Sequence, residues 1–190
     1  MMRLCFSVTA IAMLLASCEP APRRATTAPT VLVTARHVAG LLTAATPTRP
    51  GPTLAFAGHT ASLDAECHCY TLKLPGHELS LYADATGALT EADIQPATAP
   101  RELSQSGTSH IDPARPRDTL AVRFAELVRV FGRWQGERHL LRSEAPSPYR
   151  TEFTYRNPAT SRATEISASL KNPPANQRNS VYMLQFSITP

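Results

Sequence analysis

Between residues 61 and 94 the apolar side chains recur at every second position, and that period most limits what the chain can fold into. Tyr70, Leu72 and Leu74 alternate with polar neighbours, Pro75-Gly76 supplies a turn, and Leu79, Leu81 and Ala83 alternate again. Ala85-Thr86-Gly87 makes the next turn, leading into Leu89 and on to Ile94. A period of two places one set of side chains on one face of a strand, so this segment predicts a three-stranded antiparallel meander. Strand patterns return at Thr151–Tyr155 and Thr164–Leu170, joined by Arg156-Asn157-Pro158, and at Val181–Ile188, where Tyr182, Leu184, Phe186 and Ile188 share a face.

Two segments depart from this period. In residues 31–46, Leu32, Ala35, Ala39 and Leu42 share a helical face, although Val31, Val33 and Thr34 favour a strand; the spacing favours helix. Further on, Leu120, Phe124, Leu127, Val128 and Phe131 form an apolar stripe at helical spacing, with Asp118 as the expected cap and Gly136 as the expected stop. Pro96, Pro100, Pro113 and Pro116 punctuate the polar stretch between, which reads as a long loop. The resulting class is α+β: antiparallel sheet covered by one or two helices, with a duplicated helix-plus-three-strand unit as an option (halves 31–96 and 117–190).

At the amino terminus, Arg3 precedes an apolar run from Leu4 to Leu15, and the small residues Ala16 and Ser17 then lead to Cys18. The run is well short of the ~20 residues that span a bilayer as a helix, so a cleaved export signal over residues 1–17 is expected. Leu15-Ala16-Ser17-Cys18 resembles the lipobox of bacterial lipoproteins. That resemblance implies a diacylglycerol thioether on Cys18 and an acylated new amino terminus, with chains of the palmitate type as the membrane anchor. Each buried CH2 contributes ~0.8 kcal/mol, so two or more chains hold where one does not. With Glu19 rather than Asp after the cysteine, the resemblance implies the inner leaflet of the outer membrane, facing the periplasm. Residues 18–30 hold three prolines and no large apolar side chain, and read as an extended tether before a single domain over 31–190.

The formal charge is +4, almost all of the cations are arginines, and no basic run is dense enough to argue for nucleic acid. Of four cysteines, Cys5 falls in the leader and Cys18 in the anchor, which leaves Cys67 and Cys69 around His68. Two residues of extended strand span ~6.6–6.8 Å, at the edge of what a disulfide bridges, so a bond between them requires a bent backbone. Disulfide, free or intermolecularly paired thiols, and a metal site joined by His59 or His77 all remain open; beside its turn, His77 reads as a solvated loop histidine.

Ser109-His110-Ile111-Asp112 holds the residue types of a catalytic triad, but adjacent placement is wrong for one and no nucleophile elbow exists. Asp84, Glu91 and Asp93 flank a hairpin without a pairing that implies acid–base work. Arg129, Arg133, Trp134 and Arg138 form a candidate interaction surface, because Trp and Arg concentrate at binding hot spots. With no catalytic or cofactor motif, the chain reads as a non-enzymatic envelope lipoprotein that binds a protein partner in envelope assembly, a secretion system or effector immunity. The rival is a metal-binding or redox lipoprotein built on Cys67 and Cys69.

Overall fold

The computed structural model describes residues 30–97, 119–139, 149–176 and 178–189, with backbone alone at residues 30 and 136–139. The leader, Cys18, the tether to residue 29, the cap expected at Asp118 and the Ser109-His110-Asp112 stretch lie outside the described residues. The elements run α1 (Thr30–Leu42), β1 (Thr53–Phe56), β2 (His59–Asp64), β3 (Cys69–Leu74), β4 (His77–Ala83), β5 (Leu89–Pro96), α2 (Phe124–Phe131), β6 (Gln135–His139), β7 (Tyr149–Arg156), β8 (Ala163–Leu170) and β9 (Val181–Ile188). Among the described residues, all nine strands belong to one antiparallel sheet in the order β1-β2-β3-β4-β5-β9-β8-β7-β6. Two meanders therefore meet at the centre, where β5 pairs with β9: Ala92 faces Phe186 and Ile94 faces Leu184.

The molecule is mostly sheet, so the expected covering by helices is too strong. Two helices of thirteen and eight residues lie on one face, α1 against β5 and β9 and α2 against β7. The expected units of helix plus three strands are also too small, because α1 precedes five strands and α2 precedes four. The strands added are β1, β2 and β6, all toward the sheet edges.

The register explains which face carries the core. Leu81, Ala92, Phe186, Ile166 and Phe153 stand side by side across β4, β5, β9, β8 and β7, and all five are buried. Against them α1 sets Val31, Leu32, Ala35, Val38, Ala39 and Leu42, a buried stripe at three- and four-residue spacing that overrides the β-branched residues in its first turn. From α2, Phe124 and Leu127 are fully buried, and Phe124 meets Phe153 at a ring-centroid distance of 5.9 Å. Burial of such side chains contributes roughly 1.5–3 kcal/mol each, which fixes the helices to this face.

Helix α2 begins later than its stripe predicts and ends before the stop expected at Gly136. Leu120 and Val122 are buried but precede it in non-helical backbone, with Leu120 N–H donating to Val181 O and Phe124 N–H to Asn179 O. Glu126 caps the first turn by accepting from the Arg123 N–H at 2.6 Å. Gly132, at φ +87°, closes the helix by donating to Val128 O; Gly136, the expected stop, lies in β6 beside a register shift.

Helix α1 is held at both ends by side chains from distant strands. His77 is fully buried, with Nδ1 3.1 Å from Pro75 O and Nε2 3.0 Å from Thr34 Oγ1 on α1. A carbonyl only accepts, so Nδ1 carries the proton and the neutral Nε2 accepts from the Thr34 hydroxyl. Burial holds the His77 pKa below its ordinary value, with the Pro75 hydrogen bond working against it. The expected solvated loop histidine is thus a core residue. At the other end, Thr43 O accepts from Thr160 Oγ1 at 2.7 Å and Asn157 Nδ2 at 3.3 Å, and Ala44 O accepts from Arg162 Nη1 at 2.6 Å. The β7–β8 turn thereby satisfies carbonyls that a helix end leaves without partners.

Candidate functional site

Alternation that sends apolar residues to the helices must send their neighbours to the other face, and the register collects those neighbours into rows. Thr71, Ser80, Asp93, Gln185, Ser167 and Glu152 stand in line across β3, β4, β5, β9, β8 and β7. A parallel row holds Tyr82, Glu91, Ser187, Glu165 and Thr154. Among the described residues no helix packs on this face. At its middle is a shallow recess of about 490 Å3 lined by Tyr82, Glu91, Asp93, Arg150, Glu165, Ser167 and Gln185, among others.

The recess has its own electrostatics. Burial pushes the Asp93 carboxyl above the usual carboxylate range, while hydrogen bonds from Tyr82 and Gln185 and the Arg150 charge pull it back. The Tyr82 hydroxyl donates to Asp93 Oδ2 at 3.3 Å, and burial together with the Asp93 charge pushes its pKa up to about 12. Glu165 is also raised, by desolvation first and then by the charge and hydrogen bond of neighbouring Glu152; Arg150 opposes this. The Arg150 guanidinium donates through Nε to Ser167 Oγ and is the cation that bears on both raised carboxyls. Among the described side chains, four carboxyls around one guanidinium leave the recess acidic in a chain of net positive charge. Asp84 is different: its carboxyl is held below the usual range by the Thr86 hydroxyl and the Ala88 and Thr86 amides, which makes it the organiser of the β4–β5 turn.

Cys67 and Cys69 are bonded to each other, with Cα atoms 5.2 Å apart. The backbone between them is bent, as a bond at this spacing requires. Cys67 is exposed in the β2–β3 turn, Cys69 is the first residue of β3 and 7% exposed, and His68 between them bends the backbone at φ +51°. Ala83 N–H donates to His68 O at 2.8 Å, tying the turn to β4. His59 is exposed at the start of β2, and His77 belongs to the core. Among the described residues, no three His, Cys, Asp or Glu side chains come together as a metal would require.

Of the Arg/Trp surface, Arg129 and Arg133 are exposed, while half-buried Trp134 packs edge-on against Phe124 at 5.3 Å. Arg138 lies in β6, opposite Arg150 in register. Trp134 thus joins the aromatic cluster under α2. Sequence reasoning missed the polar rows, because they need pairing between strands up to about ninety residues apart. Among the described residues no helix is long and apolar enough to cross a membrane. Compared with known proteins, the chain matches no protein-family model, no curated protein and no solved structure.

Proposed function

We propose that the chain is a membrane-anchored periplasmic lipoprotein whose α+β domain binds a protein partner, and that the sheet face opposite the helices is the docking surface. The observation carrying this is the two-sidedness of the sheet: both helices lie on one face, and the other presents continuous polar rows with an acidic recess at its centre. The occupant is a protein segment presenting Lys or Arg side chains. Glu91, Asp93, Glu152 and Glu165 complement such charges, and Arg150 is already engaged with Ser167. Anchorage rests on the lipobox at Cys18, which fixes acyl chains upstream of the Pro-rich tether and α1.

The test is capture from the native envelope with the full chain, compared with a Glu91→Lys/Glu165→Lys variant of unchanged circular dichroism. A partner held by the wild type, lost on charge reversal and weakened by added salt supports the surface. A partner held equally by both overturns it. Incorporation of labelled palmitate that persists in Cys18→Ala sinks the anchor. Binding, rather than turnover, is favoured because the recess is shallow and its carboxyls are engaged by Tyr82, Gln185 and each other.

A further inference from the structure

We propose that Cys67–Cys69 is a thiol–disulfide exchange site which oxidises a dithiol on an exposed polypeptide, with Cys67 as the sulfur attacked and Cys69 as the sulfur released. The bond has little to do for the fold. It closes a loop with one intervening residue, and the gain from restraining an unfolded chain grows with loop length. The strands it adjoins are already paired at Asp64 with Cys69 and Leu63 with Tyr70, and the turn is tied to β4 through His68 O and Ala83 N–H.

The pair is also asymmetric. Cys67 stands exposed in the turn, and Cys69 is 7% exposed at the start of a strand whose next residue, Tyr70, is core. A thiolate approaching from solvent therefore reaches Cys67 first. Between them His68 sits at φ +51°, a left-handed conformation that non-glycine residues rarely adopt and that brings the two Cα atoms closer than an extended strand allows. The turn that holds this bend is fixed by the Ala83 N–H to His68 O bond and by strand pairing, so the bond can open without unmaking the hairpin.

The chemistry balances with the dithiol as the sole reductant. A substrate thiolate attacks Cys67 Sγ, the Cys67–Cys69 bond breaks, and its electron pair leaves on Cys69 Sγ, which takes a proton. The substrate's second thiolate then attacks its own sulfur in the mixed disulfide, and Cys67 departs as a thiolate that is protonated in turn. The substrate loses two electrons and two protons and gains a disulfide; Cys67 and Cys69 become two thiols.

The full chain is mixed with a linear peptide carrying two free cysteines, acid-quenched and mapped by mass spectrometry. Oxidised peptide appearing one-for-one with new thiols at Cys67 and Cys69 is the expected result. No transfer, under conditions where the same peptide reduces glutathione disulfide, overturns the proposal. The assignment of roles is read from Cys69→Ser and Cys67→Ser chains reacting with an aromatic disulfide: the free Cys67 should react about tenfold faster than the free Cys69 or more. Equal rates, or a faster Cys69, overturn that assignment. The Cys67→Ser/Cys69→Ser chain still captures its envelope partner if docking stands on the acidic recess, so either claim can fail without the other.

Discussion

Arg162→Ala tests whether α1 is held by the β7–β8 turn. The guanidinium Nη1 donates to Ala44 O at 2.6 Å, just past the carboxyl-terminal end of α1. A hydrogen bond to a charged group is worth about 1.5–3 kcal/mol, and because Arg162 is only half-buried the lower part of that range applies. A loss of about 1.5–2 kcal/mol follows. In a domain of this size each kcal/mol moves Tm by roughly 2–4 °C, so Arg162→Ala should lower Tm by about 3–8 °C. Hydrogen exchange adds a local readout, since amides at the end of α1 should exchange faster while those of β3 and β4 keep their protection. Arg156 provides the control. It ends β7 at the same turn and donates from Nη1 to Ser161 O within the turn, and it is exposed, so Arg156→Ala should cost about 0.5 kcal/mol or less. A change in Tm within 1 °C for Arg162→Ala, or equal losses for the two arginines, would refute the clamp.

Three further outcomes follow from the same structure. His77 has its folded pKa below its unfolded value, so the unfolded chain takes the proton first and the fold loses stability as pH falls below about 6.5. Asp93 and Glu165, raised in the fold, work the other way: they stabilise at low pH and lose that contribution as pH rises. The comparison is therefore with His77→Gln, whose Tm should fall less steeply than wild type from pH 7 to 5; parallel curves would exclude the neutral buried ring. Ala57 sits at φ +49° in the β1–β2 turn beside Gly58, and Ala57→Gly should raise stability by about 0.5–1 kcal/mol in a denaturant titration, whereas a loss would contradict the turn geometry. Phe153→Ala should cost about 3–5 kcal/mol and Thr154→Ala about 0.5 or less, because neighbours in β7 face opposite sides; similar losses would show that the faces are misassigned.

Strands β3, β4, β5, β7, β8 and β9 were legible because each carries buried residues at every second position. The pairs Leu72 and Leu74, Leu79 and Leu81, and Leu184 and Phe186 are examples. β2 was not legible, since Ala61 is its only buried residue, and β1 has four residues with a turn at Ala57-Gly58 that lacks the usual Asn-Gly signal. β6, Gln-Gly-Glu-Arg-His, has no apolar side chain at all. The start of α2 was blurred because Leu120, Val122 and Phe124 satisfy a strand period, while Leu120, Phe124 and Leu127 satisfy a helical one. His77 was findable: stepping back by two from Leu79 puts it on the core face. The acidic recess was not findable, because Asp93, Arg150 and Glu165 meet only once β5, β9, β8 and β7 have their register.

The pairing of β5 with β9 sets an order of events. Residues 91–94 and 184–187 form the middle of the sheet, so the last of the nine strands to emerge during synthesis or export completes the centre rather than an edge. Until then the first meander has an open edge at β5, and α1, which packs on β5 and β9, has half of its seat. Loop closure over some ninety residues must come before the contacts that reward it, which makes for slow folding. A chain threaded through a membrane amino end first would thus carry its earliest helix half-seated until β9 had crossed, open to holdase chaperones for that interval.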